Sequence, residues 1–501
     1  MWIRLTTLAL IATTQATMAQ EVTPLATPGW LSDSVTRPHA NVATSVTRPA
    51  ITVMPLGAIQ LDAVGLLSRS MTGLPPGLWG GSDAATLADL MRAQSYDGLP
   101  AVLAFTETLA LAELDPPAGA PAEGSDLFLA RIDLLLARGA LDQAQALIER
   151  AGPTQDSIFR RWFDVSLLTD QATRACAAMR ANPDIAPTFP ARIFCLARSG
   201  DWSAAALSLD TGAALGYLSA DEADLIARFL DPELFEGEPP LPPDRNLTPL
   251  TYQMRAALGE RPSAAGLPLA FAHADLADVA GWRAQLDAAE RLTRSGAITP
   301  SQWLEIYTAR VPSASGGVWD RVAALQAFDA AILAGEPSEI ARLLPAAWAA
   351  MDQAGLEVAF ALIYAERLAR QPFTDEAAAL TRQIGLLSPF YEIMAQAAVP
   401  QSADERLTFA IARGLPPDLP NGADLMTRAV VAAFTDPDIP TRYQWLIDQG
   451  NLGEALLRAA LVLNTPRPDA DDLTDALRLY RSVGLEDVAR RAALQLLLLR
   501  S

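Results

Sequence analysis

Apolar residues recur at helical spacing along most of this chain. Phe128, Ile132, Leu135 and Leu136 fall on one helical face. Gly139 follows, and the spacing restarts with Leu141, Ala144, Leu147 and Ile148. Glycine can take the left-handed conformation that ends a helix. The pattern therefore predicts two helices joined by a tight turn. The same helix–glycine–helix order appears at Gly200, Gly450 and Gly484, and Gly296, Gly335 and Gly355 mark further turns. Ser82 or Asp83 should cap a helix reaching about Arg92, and Pro100 should start one running through Leu114. Ser125 or Asp126 caps the helix leading into Gly139. Strand-like alternation is missing after Ser82, so the fold class is all-α.

The turns share a local form. Gly139-Ala140-Leu141-Asp142-Gln143-Ala144, Gly200-Asp201-Trp202-Ser203-Ala204-Ala205 and Gly450-Asn451-Leu452-Gly453-Glu454-Ala455 read Gly-x-aromatic/Leu-x-x-Ala, and Gly484 to Ala489 fits with a one-residue slip. This form resembles the middle of a tetratricopeptide repeat, where glycine lets two helices approach closely. The last two turns are 484 − 450 = 34 residues apart, the tetratricopeptide period, whereas the first two are 200 − 139 = 61 apart. The resemblance covers about four hairpins. It implies a tetratricopeptide-like α-solenoid of antiparallel helical hairpins, preceded by an extended N-terminal arm. An ordinary antiparallel α-bundle, which also ends its helices on glycine, is the plainer alternative. The whole-length pattern also resembles an exported family of alphaproteobacteria sometimes labelled antifreeze-glycopeptide-like. Ice binding would need a regular Thr array on a flat face, and the sequence has none.

Breaks in the pattern suggest the organisation. Arg4 followed by the apolar run Leu5 to Ala16 and the small-x-small triplet Thr17-Met18-Ala19 reads as a signal peptide over 1–19. No cysteine stands at the cleavage point, so a lipid anchor is not expected. Residues 20–80 read as an extended Pro/Thr-rich arm and connector, in which Ser34-Val35-Thr36-Arg37-Pro38 recurs as Ser45-Val46-Thr47-Arg48-Pro49. A first helical repeat region is expected over 81–235, a Pro-rich linker over 236–250 (Pro239, Pro240, Pro242, Pro243) and a second helical region over 251–501. The leader predicts export from the cytoplasm, which in a Gram-negative source means the periplasm.

Composition narrows the chemistry. All 38 basic residues are arginine, which excludes a Schiff-base lysine and the lysine of a phosphate-binding P-loop. The net charge of −20 opposes binding to nucleic acid or to anionic lipid, and no later segment is apolar enough to be inserted in a membrane. The histidines are His39 and His273, and neither sits in a metal or triad motif. No catalytic, metal or cofactor residues are expected. Soluble lytic transglycosylases also carry a long exported α-superhelix, but their catalytic Glu-Ser and Gly-x-x-Gly-Leu-Met-Gln segments do not occur here. Cys176 and Cys195, 195 − 176 = 19 residues apart, form an even pair in an oxidising compartment. A bridge between their two helices would restrict the unfolded chain by about 3 kcal/mol; two buried free thiols are the alternative.

Two stretches are candidate partner-binding elements. Arg160, Arg161 and Trp162 set cations beside aromatics, and Ser315, Gly316, Gly317 and Trp319 form a Ser/Gly loop entering a helix, where backbone amides can hold an anion. A solvated helix edge with Trp162 in the core and a packing turn are their bland equivalents. The sequence as a whole reads as a periplasmic scaffold or adaptor, not an enzyme, that binds a protein partner of the cell envelope. A peptidoglycan- or glycan-acting enzyme with an unrecognised carboxylate site is the alternative.

Overall fold

A computed structural model describes residues 60–120, 124–244, 246–436 and 438–499. The expected signal peptide and most of the arm lie outside the described residues. Among the described residues there are twenty-five α-helices and no β-strand. The nearest thing to sheet is an isolated bridge between Leu67 and Ala112.

Local sequence accounts for many of the helix ends. Asp83 accepts from the Thr86 amide and starts Ala84–Arg92. Pro100 opens Pro100–Leu111, where its missing N–H costs nothing. Gly139, Gly200, Gly450 and Gly484 all take positive φ, between 72° and 86°, at the turns assigned to them. Gly139 also has no room for a side chain: a Cβ there would lie 2.8 Å from Leu292 Cδ2. The sulfur atoms of Cys176, in Ala172–Ala181, and Cys195, in Phe189–Arg198, stand at bonding distance with Cα atoms 5.0 Å apart.

The hydrophobic interior forms two cores. One draws on residues 61–274 together with 386–494; the other draws on 272–387. The Pro-rich segment 236–250 therefore lies within the reach of the first core, against which Leu241 and Leu247 pack. Buried Arg255 holds it there. Its guanidinium donates to the Pro242 carbonyl and pairs with Asp244 at 2.8 Å and Glu260 at 3.3 Å.

The first core is continuous because the two ends of the described chain meet. Helix Ala84–Arg92 packs on Leu452–Leu463, and Pro100–Leu111 packs on Glu486–Leu498. Buried amide side chains join them. Gln94 donates to the Leu457 carbonyl at 3.0 Å, Asn451 accepts from the Gly81 amide at 2.9 Å, and Asn464 accepts from the Leu99 amide at 3.1 Å. The turn at Gly450 sits so close to Gly80 that a Cβ on Gly80 would strike the Gly450 carbonyl.

Arginine does a second kind of joining. Arg131 and Arg138 are buried and donate chiefly to carbonyls: Arg131 to Ala110, Asp62 and Ala112, and Arg138 to Ser95 and Leu103 as well as to the Thr106 hydroxyl. Five donors in a rigid fork suit this gathering of loop ends better than an ammonium would. Burial pulls both guanidinium groups down to about 10, with Asp62 and Glu107 as their respective opposing charges.

Candidate functional site

Helix Trp202–Ala214 packs on its sequence neighbours Phe189–Arg198 and Ala220–Leu230. Its sequence is apolar on nearly every side, yet only Ala205 and Gly212 are buried. That narrow face lies against helix Phe189–Arg198. Gly212 admits the Phe189 ring, which a Cβ at 212 would meet at 2.3 Å. Trp202, Leu207, Leu215 and Tyr217 are 51–68% exposed along this helix and the turn after it. Asp210 is the one charged residue from 202 to 217. Large exposed apolar residues clustered in one stretch mark interaction surfaces, and interface centres are rich in aromatics and poor in charge.

The residues singled out from sequence fall elsewhere. Arg161 is buried and bonds both oxygens of buried Asp133, at 2.6 and 3.0 Å. Asp133 also accepts from Arg92 at 3.2 Å. Trp162 is buried, donates to Glu149 at 3.2 Å and meets the Phe159 ring edge-on. Arg160, beside them, is half-buried. Ser315, Gly316 and Gly317 are exposed ahead of helix Val318–Ala334. The Gly316 amide already donates to Asp320 at 2.9 Å, so a carboxylate of the chain itself occupies this helix start. Trp319 is half-buried and tilted against Trp282, with ring centres 5.3 Å apart. The apolar face at Trp202 was not singled out from sequence. Its one signal was an apolar pattern too broad for a single buried stripe.

A groove of about 440 Å³ lies between helices Asp375–Leu386, Ala403–Ala412, Leu425–Thr435 and Glu486–Leu498. Its wall is apolar, with Leu380, Leu407, Phe409 and Leu497, and its rim carries Glu376, Asp404 and Glu405. Glu405 is paired with Arg382 at 2.8 Å, whereas Glu376 and Asp404 are exposed. The acids stand in the first turns of their helices, where they offset the positive end of the macrodipole.

Among the described residues no three or more His, Cys, Asp or Glu are grouped to hold a metal ion, and no helix is long and apolar enough to cross a membrane. His273 donates from Nε2 to the Gly139 carbonyl, 2.5 Å away, which requires the Nε2–H tautomer in the neutral ring. Burial holds its pKa below the ordinary value.

Comparison with protein-family models, with curated proteins and with solved structures finds no match to this chain.

Proposed function

We propose that this is a periplasmic scaffold or adaptor that works by binding a protein partner of the cell envelope. The observation that carries the reading is the set of exposed apolar side chains Trp202, Leu207, Leu215 and Tyr217 on one helix and the turn after it. The architecture we assign to it is a tetratricopeptide-like solenoid of helical hairpins that bends until its ends meet. Glycine turns at the expected hairpins support that assignment, as does the packing of helices adjacent in sequence, such as Leu452–Leu463 with Ala470–Ser482. The leader read over 1–19 supports export, and N-terminal sequencing of the mature protein should begin near Gln20.

The test pairs affinity capture with a surface variant. A partner recovered with the mature protein should be lost with Trp202→Glu/Leu207→Glu at an unchanged melting temperature. Equal recovery with both proteins would overturn the assignment of this face.

A glycan-acting enzyme is the second reading, motivated by the three carboxylates on the rim of the groove. It predicts that purified protein releases soluble products from peptidoglycan, and that Glu376→Gln or Asp404→Asn stops the release without unfolding the chain. Product release with that dependence would displace the scaffold reading.

A further inference from the structure

We propose that the groove beside Leu497 binds the chain's own segment Val46-Thr47-Arg48-Pro49, in which Arg48 is the one charge and Val46 and Pro49 are apolar. The chemistry of the groove selects such an occupant. Half-buried Leu380 and Leu497 offer an apolar wall backed by buried Leu407 and Phe409, and Glu376 and Asp404 stand exposed on the rim with no ion pair among the described residues. Glu405 is already neutralised by Arg382. The rim is thus net negative, while Val46 and Pro49 suit the wall and Arg48 suits the rim. The arm carries this arrangement twice, at Ser34–Pro38 and Ser45–Pro49.

The distance to be spanned is compatible. The Asp62 carbonyl and the Ala112 carbonyl share the guanidinium of Arg131, so the described chain begins beside the end of helix Pro100–Leu111. That helix is 12 residues long, about 18 Å. Its other end, at Ala101, touches Gln495, two residues before Leu497. One helix length plus one interhelical step of about 10 Å gives roughly 30 Å from Asp62 to the groove. The eleven residues from Pro49 to Gln60 reach about 36–40 Å when extended. Attraction between one guanidinium and two exposed carboxylates is modest and weakens with salt. The apolar contacts therefore supply most of the hold, and the charges set the register.

The full mature chain carrying a photoreactive benzoylphenylalanine at position 47 tests this directly. Cross-links mapped by mass spectrometry should fall in 376–409 and at Leu497 or Leu498, and should drop about tenfold in Glu376→Gln/Asp404→Asn or in 0.5 M salt. Amide exchange in helices Asp375–Leu386 and Ala403–Ala412 should speed up in Arg48→Glu. Cross-links to other surfaces, or exchange unchanged by Arg48→Glu, would overturn the proposal. The capture experiment with Trp202→Glu/Leu207→Glu reads a different face, so either proposal can fail while the other stands.

Discussion

The buried side chain of Gln495 accepts a hydrogen bond from the backbone N–H of Ala101, 2.9 Å away across 394 residues of sequence. Helix Pro100–Leu111 begins on Leu99, whose side chain cannot cap it. Gln495 supplies the missing acceptor from the last helix, and Asn464 takes the Leu99 amide at 3.1 Å. Asp62 does the same for Phe128 at 2.8 Å, because Ser125 makes no capping bond. These helix starts are satisfied by tertiary contacts.

Gln495→Ala should therefore lower stability by about 1–3 kcal/mol, the cost of leaving a buried donor unpaired. Urea unfolding would show a lower midpoint with an unchanged slope. A midpoint within error of the parent protein would mean that water reaches the Ala101 amide.

Asp133 joins Arg161 and Arg92 in a buried network. Asp133→Ala leaves the Arg161 charge uncompensated and should cost about 3–5 kcal/mol. Arg161→Ala should likewise appear as lost stability in denaturant unfolding, with partner capture by the folded fraction unchanged. Lost capture at full stability would return Arg161 to a binding role.

Gly139 and Gly200 share a left-handed backbone but differ in surroundings. A Cβ on Gly139 meets Leu292 and Leu269, whereas one on Gly200 meets nothing within 4 Å. Gly200→Ala should cost only the backbone strain, about 1 kcal/mol. Gly139→Ala should cost at least about 1 kcal/mol more, because the two leucines must also shift. Equal losses in parallel thermal melts would mean that this junction is looser than its contacts imply.

Two buried groups give opposite pH dependences. Burial, with Asp352 alongside, raises the Glu357 carboxyl to about 7. The folded state then holds a proton that the unfolded chain releases. The associated stability is complete below about 4.5 and is lost as pH rises towards 7. Glu357→Gln should gain on the parent protein at pH 8 relative to pH 5. A pH-independent difference between the two proteins would contradict the raised value.

His273 runs the other way. Its folded pKa lies below 6.5, so the folded state binds fewer protons, and stability falls as pH drops below that value. His273→Gln keeps a donor for the Gly139 carbonyl and removes the titration. Melts between pH 7 and pH 5 should therefore fall less steeply in the variant, and parallel slopes would count against the neutral buried ring.

The all-helical class, the helix start at Pro100 and the turns at Gly139, Gly200, Gly450 and Gly484 are legible in the sequence, whereas the choice of Asp83 over Ser82 as a cap and of a Cys176–Cys195 bridge over two free thiols comes from the structure. Each legible feature rests on local physics. A left-handed φ, a missing N–H and an apolar period of 3.6 act within a few residues, so the residues that carry them also report them. Tertiary structure decided the rest. Arg161 reads as part of a solvated cationic edge because nothing adjacent announces Asp133, 28 residues earlier, whereas Trp162 lies in the core, as the bland reading of this stretch has it. The meeting of the two ends of the described chain depends on Gln94, Asn451, Asn464 and Gln495, ordinary polar residues until burial removes water as their partner. The face at Trp202 was hidden for the converse reason. An apolar residue in a helix is expected inside, and only the packing of the neighbouring helices leaves these outside.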